Sequence, residues 1–341
     1  QGNAPARDEA AIADAFADVG ASFGGGAGGD RTSLRLRTLS DPVERGPAIA
    51  LMTQIISAPT FPDAVLARDK QRLVAAIRES LTKPSVLAER AFGKAIYGTH
   101  PYGQTAAPET VESITRDDIV RYYQANYTAK RAVVTLIGAI SRQEAEAIAE
   151  QITRGLPADG ATPPALPDVK MPLAKAETIR IPHPAQQATI ILGQPGIARG
   201  DKDYFPLLVG NYVLGGGGFS ARLTNEVREK RGLAYNISSF ATSYTDGGVF
   251  GIYAGTGERD LAELVPVLCD EMMKLGMGVG ADEVERARAQ LKASILMTLE
   301  STSARCELLG HQMLVFGRPI PASEVAERIE AVDAATVSRV A

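Results

Sequence analysis

The most informative segment of this chain is LGGGGFSARLTNEVREKRGLAY, residues 214–235. Four glycines form a turn that leads into a predicted helix, Ser220 to Lys230. Gly232 has the position of a C-terminal cap, and a strand is predicted to begin at Tyr235. Arg228, on the last turn of the predicted helix, and Tyr235 could therefore face one cleft. The alternative is a surface arginine followed by a strand aromatic.

Two glycine clusters, Gly24–Gly29 and Gly215–Gly218, raise the question of nucleotide binding. A phosphate-binding loop requires a lysine and a hydroxyl residue after its last glycine. Gly29 is followed by Asp30-Arg31-Thr32, and Gly218 is followed by Phe219-Ser220-Ala221. Both clusters are therefore interpreted as turns, in which glycine permits positive φ and close backbone approach.

The composition is that of a globular protein with about two domains: 341 residues, 45% of them hydrophobic and 22% charged. A net charge of -4 with interspersed basic residues gives little support to nucleic-acid binding. No apolar run approaches the roughly 20 residues that span a bilayer, so no membrane span is predicted. A chain that begins at Gln1 is compatible with a removed export signal and equally with a cytoplasmic protein.

The chain also repeats itself. Residues 66–123 align without a gap with residues 284–341 at a constant offset, 291 - 73 = 218. The alignment predicts that both halves share one fold, with equivalent apolar positions buried in each. The predicted buried pairs are Leu73 with Leu291, Ile77 with Ile295, Ile96 with Leu314, and Ile114 with Val332.

Each half is predicted to contain strands and amphipathic helices, which indicates an α+β fold of two homologous domains with mostly antiparallel sheets packed by helices. The predicted strands are Asp30–Thr38, Gly248–Ala254, Val133–Ile137 and Ala188–Leu192, and the helices that follow the first two are Val43–Ile56 and Arg259–Leu275. Residues 157–172 contain five prolines and are interpreted as a linker. The predicted domains are residues 1–156 and 173–341.

No catalytic or metal-binding constellation stands out from residue spacing alone. His100, His183 and His311 include no pair at the helical spacing that zinc sites use. Cys269 and Cys306 lie in helical apolar patterns, where a thiol behaves as a small hydrophobe. No Gly-x-Ser-x-Gly occurs, which excludes a nucleophile elbow.

The motif around the glycine-rich turn resembles the signature of the second domain in the pitrilysin, insulysin and mitochondrial processing peptidase family. The matching runs are Gly217-Gly218-Phe219-Ser220-x-Arg222-Leu223 and Val227-Arg228-Glu229-Lys230-x-Gly232-Leu233-Ala234-Tyr235. Further similarity lies in His100-Pro101-Tyr102-Gly103, in Thr115-Arg116-Asp117-Asp118 and at Tyr127. The resemblance covers nearly the whole chain and implies the metallopeptidase fold of that family.

Active members of the family carry an inverted zinc motif, His-x-x-Glu-His, near the start of the first domain. The motif does not occur in this sequence, and residues 2–21 resemble the helix that follows it. Glu79 matches the third zinc ligand, a glutamate downstream of the motif. One carboxylate without histidines does not hold zinc at useful affinity. The resemblance therefore implies that this chain alone binds no cofactor and that zinc lies in a partner.

In the family, the residues that match Arg228 and Tyr235 reach the substrate backbone opposite the zinc. Donors of this kind position a peptide and stabilise developing oxyanion charge. We expect these two residues to bind substrate together with the adjoining residues of the turn, Gly217, Gly218, Phe219 and Ser220.

The resemblance implies a non-catalytic peptidase subunit that acts on peptides with a zinc-bearing homologous subunit, as a heterodimer, or that self-associates. Two alternatives remain. The zinc motif could precede Gln1, which would make the full protein a complete zinc peptidase. The chain could also be a non-proteolytic scaffold, as in the core subunits of respiratory complexes that share the fold.

Overall fold

The computed structural model describes residues 7–169 and 175–341 as an arrangement of helices and small antiparallel sheets, which confirms the predicted α+β class. The helices of these residues are α1 (Glu9–Ala17), α2 (Pro42–Ser57), α3 (Asp63–Ser80), α4 (Pro84–Tyr97), α5 (Pro108–Ser113), α6 (Arg116–Asn126), α7 (Arg142–Thr153), α8 (Tyr204–Asn211), α9 (Leu261–Met277), α10 (Ala281–Glu300), α11 (Thr302–Phe316), α12 (Ala322–Glu330) and α13 (Ala334–Val340). The strands are β1 (Ser22–Ala27), β2 (Thr32–Arg37), β3 (Gln187–Gly196), β4 (Ala234–Ser243) and β5 (Gly248–Gly257).

The chain forms two compact units, each assembled from separate segments. The first contains the described residues up to Ala76, Ala106–Ala165 and Ser301–Leu314, and the second contains Ile77–Thr105, Leu166–Glu300 and Val315–Ala341. The predicted division into residues 1–156 and 173–341 stays a prediction. Residues 170–172 of the predicted linker lie outside the described residues.

The first unit contains a two-stranded antiparallel sheet in which Ser22 of β1 lies opposite Arg37 of β2. β2 confirms the strand predicted within Asp30–Thr38, and α2 confirms the helix predicted at Val43–Ile56. Asp41 begins α2 because its carboxylate accepts a hydrogen bond from the Val43 backbone N–H at 2.9 Å. The buried residues of α2 form one apolar face, and they are Ala48, Ile49, Leu51, Met52 and Ile56.

The strand predicted at Val133–Ile137 is wrong, because this segment pairs with no strand in the part of the chain that the structure describes. Its polar groups bond to a helix instead. The Thr135 hydroxyl donates to the Cys306 carbonyl oxygen at 3.1 Å, and the Cys306 thiol donates to the Thr135 carbonyl oxygen at 3.1 Å. A β-branched run becomes a strand only when a partner strand supplies the ladder, and here α11 occupies that side.

The second unit is built on a three-stranded antiparallel sheet in the order β3-β5-β4. β5 and β3 confirm the strands predicted at Gly248–Ala254 and Ala188–Leu192. α9 confirms the helix predicted at Arg259–Leu275, and Leu264, Leu268 and Leu275 form its fully buried face. These leucines and the sheet share one apolar core with α8, α10 and the end of the chain.

The predicted burial of equivalent apolar pairs is wrong for three of the four pairs. Leu73, Leu314 and Ile114 are 48%, 47% and 40% exposed, whereas their counterparts Leu291, Ile96 and Val332 are 5%, 3% and 3% exposed. The long helices show the reason. α10 buries Val284, Ala287 and Leu291, while α3 buries Val74 and Ile77, so the centre of the buried face of α3 is rotated by roughly 70° relative to that of α10.

No helix in residues 7–169 and 175–341 combines the length and the apolar character that a bilayer span requires.

Candidate functional site

The glycine-rich turn follows α8 and begins with a wide π-helical turn, Tyr212–Gly216. Gly215 lies directly against β4, since a Cβ there would sit 2.5 Å from the Ser239 backbone nitrogen and 2.8 Å from Leu223 Cδ1. Gly218 has open space around it but a φ of +65°, a left-handed conformation that favours glycine. Close packing therefore requires glycine at position 215, and the left-handed backbone conformation favours glycine at position 218.

The helix predicted from Ser220 to Lys230 is correct in place but wrong in type. A 3₁₀ turn spans Gly218–Ser220, and a π-helical segment spans Thr224–Glu229. The wide turns show directly in the Lys230 N–H, which donates to the Asn225 carbonyl oxygen five residues back at 3.0 Å. Leu223 and Val227 are fully buried by this winding. Such wide turns occur frequently at functional sites.

Gly232 confirms the predicted C-terminal cap. Its φ is +63°, its N–H donates to the Arg228 carbonyl oxygen at 3.2 Å, and the Leu233 N–H donates to the Val227 carbonyl oxygen at 3.0 Å. This bond pattern is a Schellman-type cap widened by one residue, as a π-helical end requires. The chain then enters β4, which places Tyr235 beside the segment that carries Arg228.

Arg228 contacts two aromatic rings at this point. Its Cζ lies 4.3 Å from the ring centroid of Tyr235 and 5.5 Å from that of Phe219. Both rings project into solvent, since Tyr235 is 81% exposed and Phe219 78% exposed. Arg228 Nε lies 3.4 Å from Glu229 Oε1, while its Nη groups have no hydrogen-bond acceptor among the described residues. The site thus presents guanidinium donors and a phenol hydroxyl to solvent.

Two of the other predicted site residues hold the turn in place. The Ser220 hydroxyl donates to the Gly217 carbonyl oxygen at 3.3 Å and accepts from Gln290 Nε2 at 3.1 Å. Gly217 has no room for a side chain, because a Cβ would lie 2.6 Å from the Tyr212 carbonyl oxygen. The structure therefore brings together Phe219, Arg228 and Tyr235 as a surface, while Gly217 and Ser220 hold the turn that carries Phe219.

Arg222 anchors the motif, a role that the sequence pattern does not predict. Its Nε and Nη2 donate to the two carboxylate oxygens of Glu283 at 2.7 and 2.6 Å, and Nη2 also donates to the Gly278 carbonyl oxygen at 3.1 Å. The Arg222 hydrogen bonds hold the pKa of Glu283 below its ordinary value. The signal available in the sequence was an arginine within the motif and an acidic residue in the first turn of a predicted long helix.

A polar cavity of about 500 Å³ borders this ion pair and is lined by charged residues of both signs. Its carboxylates are neutralised locally: Glu271 accepts from Lys274 Nζ at 2.7 Å, and Glu226 accepts from Arg231 Nη1 at 2.7 Å. Hydrogen bonds from Arg231 first, and then Lys230, lower the pKa of Glu226. Only Arg222 links separate elements here, because it bonds Glu283 of α10 and the Gly278 carbonyl oxygen that follows α9, whereas the other two pairs are local.

Glu79, which matches the zinc-ligand position, and the three histidines each contact other residues. The Glu79 side chain is 75% exposed and forms an ion pair with Lys83 Nζ at 3.5 Å. His100 is buried, and its Nδ1 accepts from the Tyr102 backbone N–H at 3.2 Å. His183 Nε2 lies 3.0 Å from the Thr82 carbonyl oxygen, and His311 Nδ1 lies 2.5 Å from Arg31 Nη1.

A catalytic zinc does not fit the side chains that the structure describes. Within residues 7–169 and 175–341, no three histidine, cysteine or carboxylate side chains converge as a metal would require. The two cysteines, Cys269 and Cys306, are free thiols on α9 and α11. Part of the segment that resembles the helix after the zinc motif, residues 2–6, lies outside the described residues.

The segment that carries this surface matches a known protein family. The model of the peptidase M16 inactive domain matches residues 113–291, which is more than half of the chain and includes the glycine-rich turn, Arg228 and Tyr235. A crystal structure of a peptidase M16 inactive domain from Pseudomonas fluorescens is similar over 97% of this chain and 80% of that chain. Its TM-score is 0.87, and its sequence identity is 32%.

Curated relatives add two descriptions. A protein described as an uncharacterized zinc protease from Rickettsia bellii is 28% identical over 97% of this chain and 79% of its own length. The mitochondrial-processing peptidase subunit beta of Neurospora crassa is 30% identical over 90% of this chain and 67% of its own length. These similarities confirm the resemblance to pitrilysin-like peptidases that the motif indicates.

Proposed function

The chain belongs to the peptidase M16 family, and from this membership we propose that it supplies substrate-binding and oxyanion-stabilising donors to a zinc-bearing partner for peptide hydrolysis. The donors are Arg228 and Tyr235, and Phe219 of the adjoining turn, Gly217–Ser220, contacts Arg228. The observation that supports this role best is the partly exposed guanidinium of Arg228, which lies 4.3 Å from the Tyr235 ring and has Nη groups with no acceptor within the described residues.

An extended peptide presents its backbone polar groups to a protein that binds it. Its backbone carbonyls are strong acceptors that must be satisfied when water is excluded. A guanidinium and a phenol hydroxyl are donors, and Arg228 and Tyr235 hold them on a capped π-helical end and on a strand. Donors on such elements need little reorganisation when charge develops on the carbonyl oxygen. The site therefore suits binding and polarisation of a peptide rather than nucleophilic attack.

A zinc-bearing partner is the second part of the proposal. It is supported by the exposed, lysine-paired Glu79 and by the poor fit of a metal to the described side chains. It is also supported by the Neurospora crassa relative, whose name is that of one subunit of a processing peptidase. We expect the isolated chain, after dialysis, to hold less than one equivalent of zinc in metal analysis. One tightly bound zinc per chain would contradict this proposal.

The test of the donor role combines peptide binding with hydrolysis. Arg228→Ala and Tyr235→Phe should each weaken the binding of extended peptides to the isolated chain, measured by fluorescence anisotropy. With the zinc-bearing family member from the same organism added, each variant should lower kcat about 100-fold to 1000-fold, as loss of an oxyanion donor does. The matched control is Arg259→Ala, since Arg259 is also an arginine in the second unit and is highly exposed.

Two outcomes decide between the proposed role and a scaffold. Wild-type binding and turnover in both variants, with unchanged circular dichroism and partner binding, would remove Arg228 and Tyr235 from the mechanism. A non-proteolytic scaffold of the same fold would then explain the chain better. Loss of turnover with retained partner binding would support the proposal.

A complete zinc peptidase is the second candidate function. The Rickettsia bellii relative is described as a zinc protease, and the match covers 79% of its length, so that relative contains residues with no counterpart here. In this case the same Arg228 and Tyr235 would serve a zinc site carried by further residues of the same polypeptide. Zinc analysis of the protein expressed from its whole gene distinguishes the two, because only a complete peptidase holds zinc without a partner.

We also propose that the two halves are copies of one ancestral unit. The support is that helix starts recur at the sequence offset: 281 - 63, 302 - 84 and 334 - 116 each equal 218. The helices concerned are α3 with α10, α4 with α11, and α6 with α13.

A further inference from the structure

Phe219 is a large apolar side chain placed almost fully in solvent, 78% exposed, and the core of the second unit does not account for it. Exposing a phenylalanine ring costs hydrophobic free energy that a polar residue at the same turn would avoid. In this position the Phe219 ring contacts the Arg228 guanidinium, with 5.5 Å between Arg228 Cζ and the ring centroid.

The backbone that carries Phe219 is held from both sides. The Ala221 N–H donates to the Gly218 carbonyl oxygen at 3.2 Å, and the Thr224 hydroxyl donates to the same oxygen at 2.9 Å. Ser220 is bonded to Gln290 of α10 at 3.1 Å. These bonds therefore hold the backbone from which the Phe219 ring projects, although most of the ring is exposed to water.

Arg228 has few other restraints on its guanidinium. Its ion pair is with the neighbouring Glu229, at 3.4 Å and with a half-exposed carboxylate, and such a contact is weak in water. Contacts of a guanidinium with aromatic rings retain the outward N–H donors for a ligand, unlike a hydrogen bond to a carboxylate. The rings of Phe219 and Tyr235 can thus restrict the guanidinium without consuming its donors.

We infer that Phe219 is a positioning residue that holds the Arg228 guanidinium, together with Tyr235, in the orientation that receives a peptide carbonyl. Phe219 acts through Arg228 and takes no part in proton or bond transfer. The consequence for peptide affinity rests on the proposed function, whereas the restriction of Arg228 itself does not. An experiment can therefore examine the two separately.

The variants Phe219→Ala, Phe219→Leu and Phe219→Tyr separate aromatic contact from apolar bulk. The first readout is the ¹H–¹⁵N resonance of Arg228 Nε, assigned by its loss in Arg228→Lys. Ring currents and restricted motion should displace and sharpen this resonance in the wild type. We expect the displacement to be reduced in the alanine and leucine variants and retained in the tyrosine variant.

The second readout is peptide affinity of the isolated chain. An exposed cation–π contact of ordinary strength corresponds to about a twofold to fivefold change, so the alanine and leucine variants should weaken binding by that factor. The tyrosine variant should restore it. An unchanged Arg228 resonance in all three variants would overturn the inference, whatever the peptide result. Failure of the wild type to bind peptide, with the expected resonance changes, would instead overturn the proposed function and leave the positioning of Arg228 standing.

Discussion

The two long helices α3 and α10 are held by the same polar contact but buried on different faces. In the first unit, Lys70 Nζ of α3 donates to the Glu112 and Ile114 carbonyl oxygens at 2.6 and 2.7 Å. In the second, Arg288 Nη1 of α10 donates to the Glu330 and Val332 carbonyl oxygens at 2.8 and 3.3 Å. All three positions are related by the offset of 218, since 288 - 70, 330 - 112 and 332 - 114 are equal.

The next helix start carries a second shared contact with its residues exchanged. The Thr115 backbone N–H and hydroxyl both donate to Asp118 Oδ2, at 2.8 and 2.6 Å, where α6 begins. At the start of α13, the Thr336 backbone N–H and hydroxyl donate to Asp333 Oδ1, at 2.7 and 2.5 Å. Each of these two helix starts thus pairs one carboxylate with one hydroxyl three residues apart, in opposite order. Burial follows a different rule, because it depends on which neighbours cover each helix.

Substitution of the equivalent leucines of α3 and α10 tests the difference in burial and should give the largest change in stability. Leu291→Ala should lower the free energy of unfolding by about 2–5 kcal/mol, since Leu291 is 5% exposed in the core of the second unit. Leu73→Ala, at the equivalent position but 48% exposed, should cost less than about 1 kcal/mol. Urea denaturation of both variants measures this. Equal losses would show that the two helices bury equivalent faces after all.

This contrast also separates what the sequence predicts from what it does not. Strands β2 and β5, the cap at Gly232 and the place of Arg228 beside Tyr235 follow from local pattern, glycine chemistry and motif spacing. The exposure of Leu73 does not follow from the sequence. Apolar residues at spacings of three and four predict a helix, but they do not decide which part of its apolar side the neighbouring elements cover.

The same limit applies to the site. The π-helical segment Thr224–Glu229 was not predictable, since Leu223 and Val227, four residues apart, suit α and π winding alike. The contact of Phe219 with Arg228 depends on the left-handed Gly218, which the glycine run permits at any of four positions. The Val133–Ile137 segment has high β propensity but no partner strand among the described residues. Whether a partner strand lies beside it depends on the tertiary fold, which local sequence does not specify.

The second prediction tests the shared contact of the long helices. Arg288→Met should destabilise the protein by about 1–2 kcal/mol, because charge-assisted bonds to two helix-end carbonyls are lost and solvent replaces them only in part. Arg288→Lys reproduces the first-unit residue and should recover most of the loss. Lys70→Met should cost about the same as Arg288→Met if the contact is equivalent. A cost confined to Arg288, measured by urea denaturation, would break the correspondence.

A smaller effect is expected from exchanging the cap residues. Thr115→Asp alone places two carboxylates at one helix start and should destabilise by like-charge repulsion. The double variant Thr115→Asp with Asp118→Thr recreates the order found at Asp333 and Thr336 and should match the wild type in thermal unfolding. Failure of the double variant to recover would mean that the two helix starts are not interchangeable.

The smallest effect is a pH dependence that the two caps should share. Hydrogen bonds from the Thr115 hydroxyl and backbone lower the pKa of Asp118 below its ordinary value of 3.8, and those from Thr336 lower that of Asp333 in the same way. A carboxyl group with a lowered pKa in the folded protein stabilises it fully above the ordinary pKa. That contribution is lost as the pH falls from about 4 through the lower folded pKa, because the unfolded chain takes up the proton first. Asp118→Ser and Asp333→Ser each replace the carboxyl group by a short hydroxyl side chain that does not titrate in this range. Each should therefore make the free energy of unfolding fall less steeply between about pH 4.5 and 2.5 than in the wild type, by the same amount in both variants.

Urea denaturation across this range, with Ser113→Ala as a control that leaves both carboxylates in place, measures the slopes. A change in one variant only would show that the two caps, despite matching bonds, are not equally formed in solution.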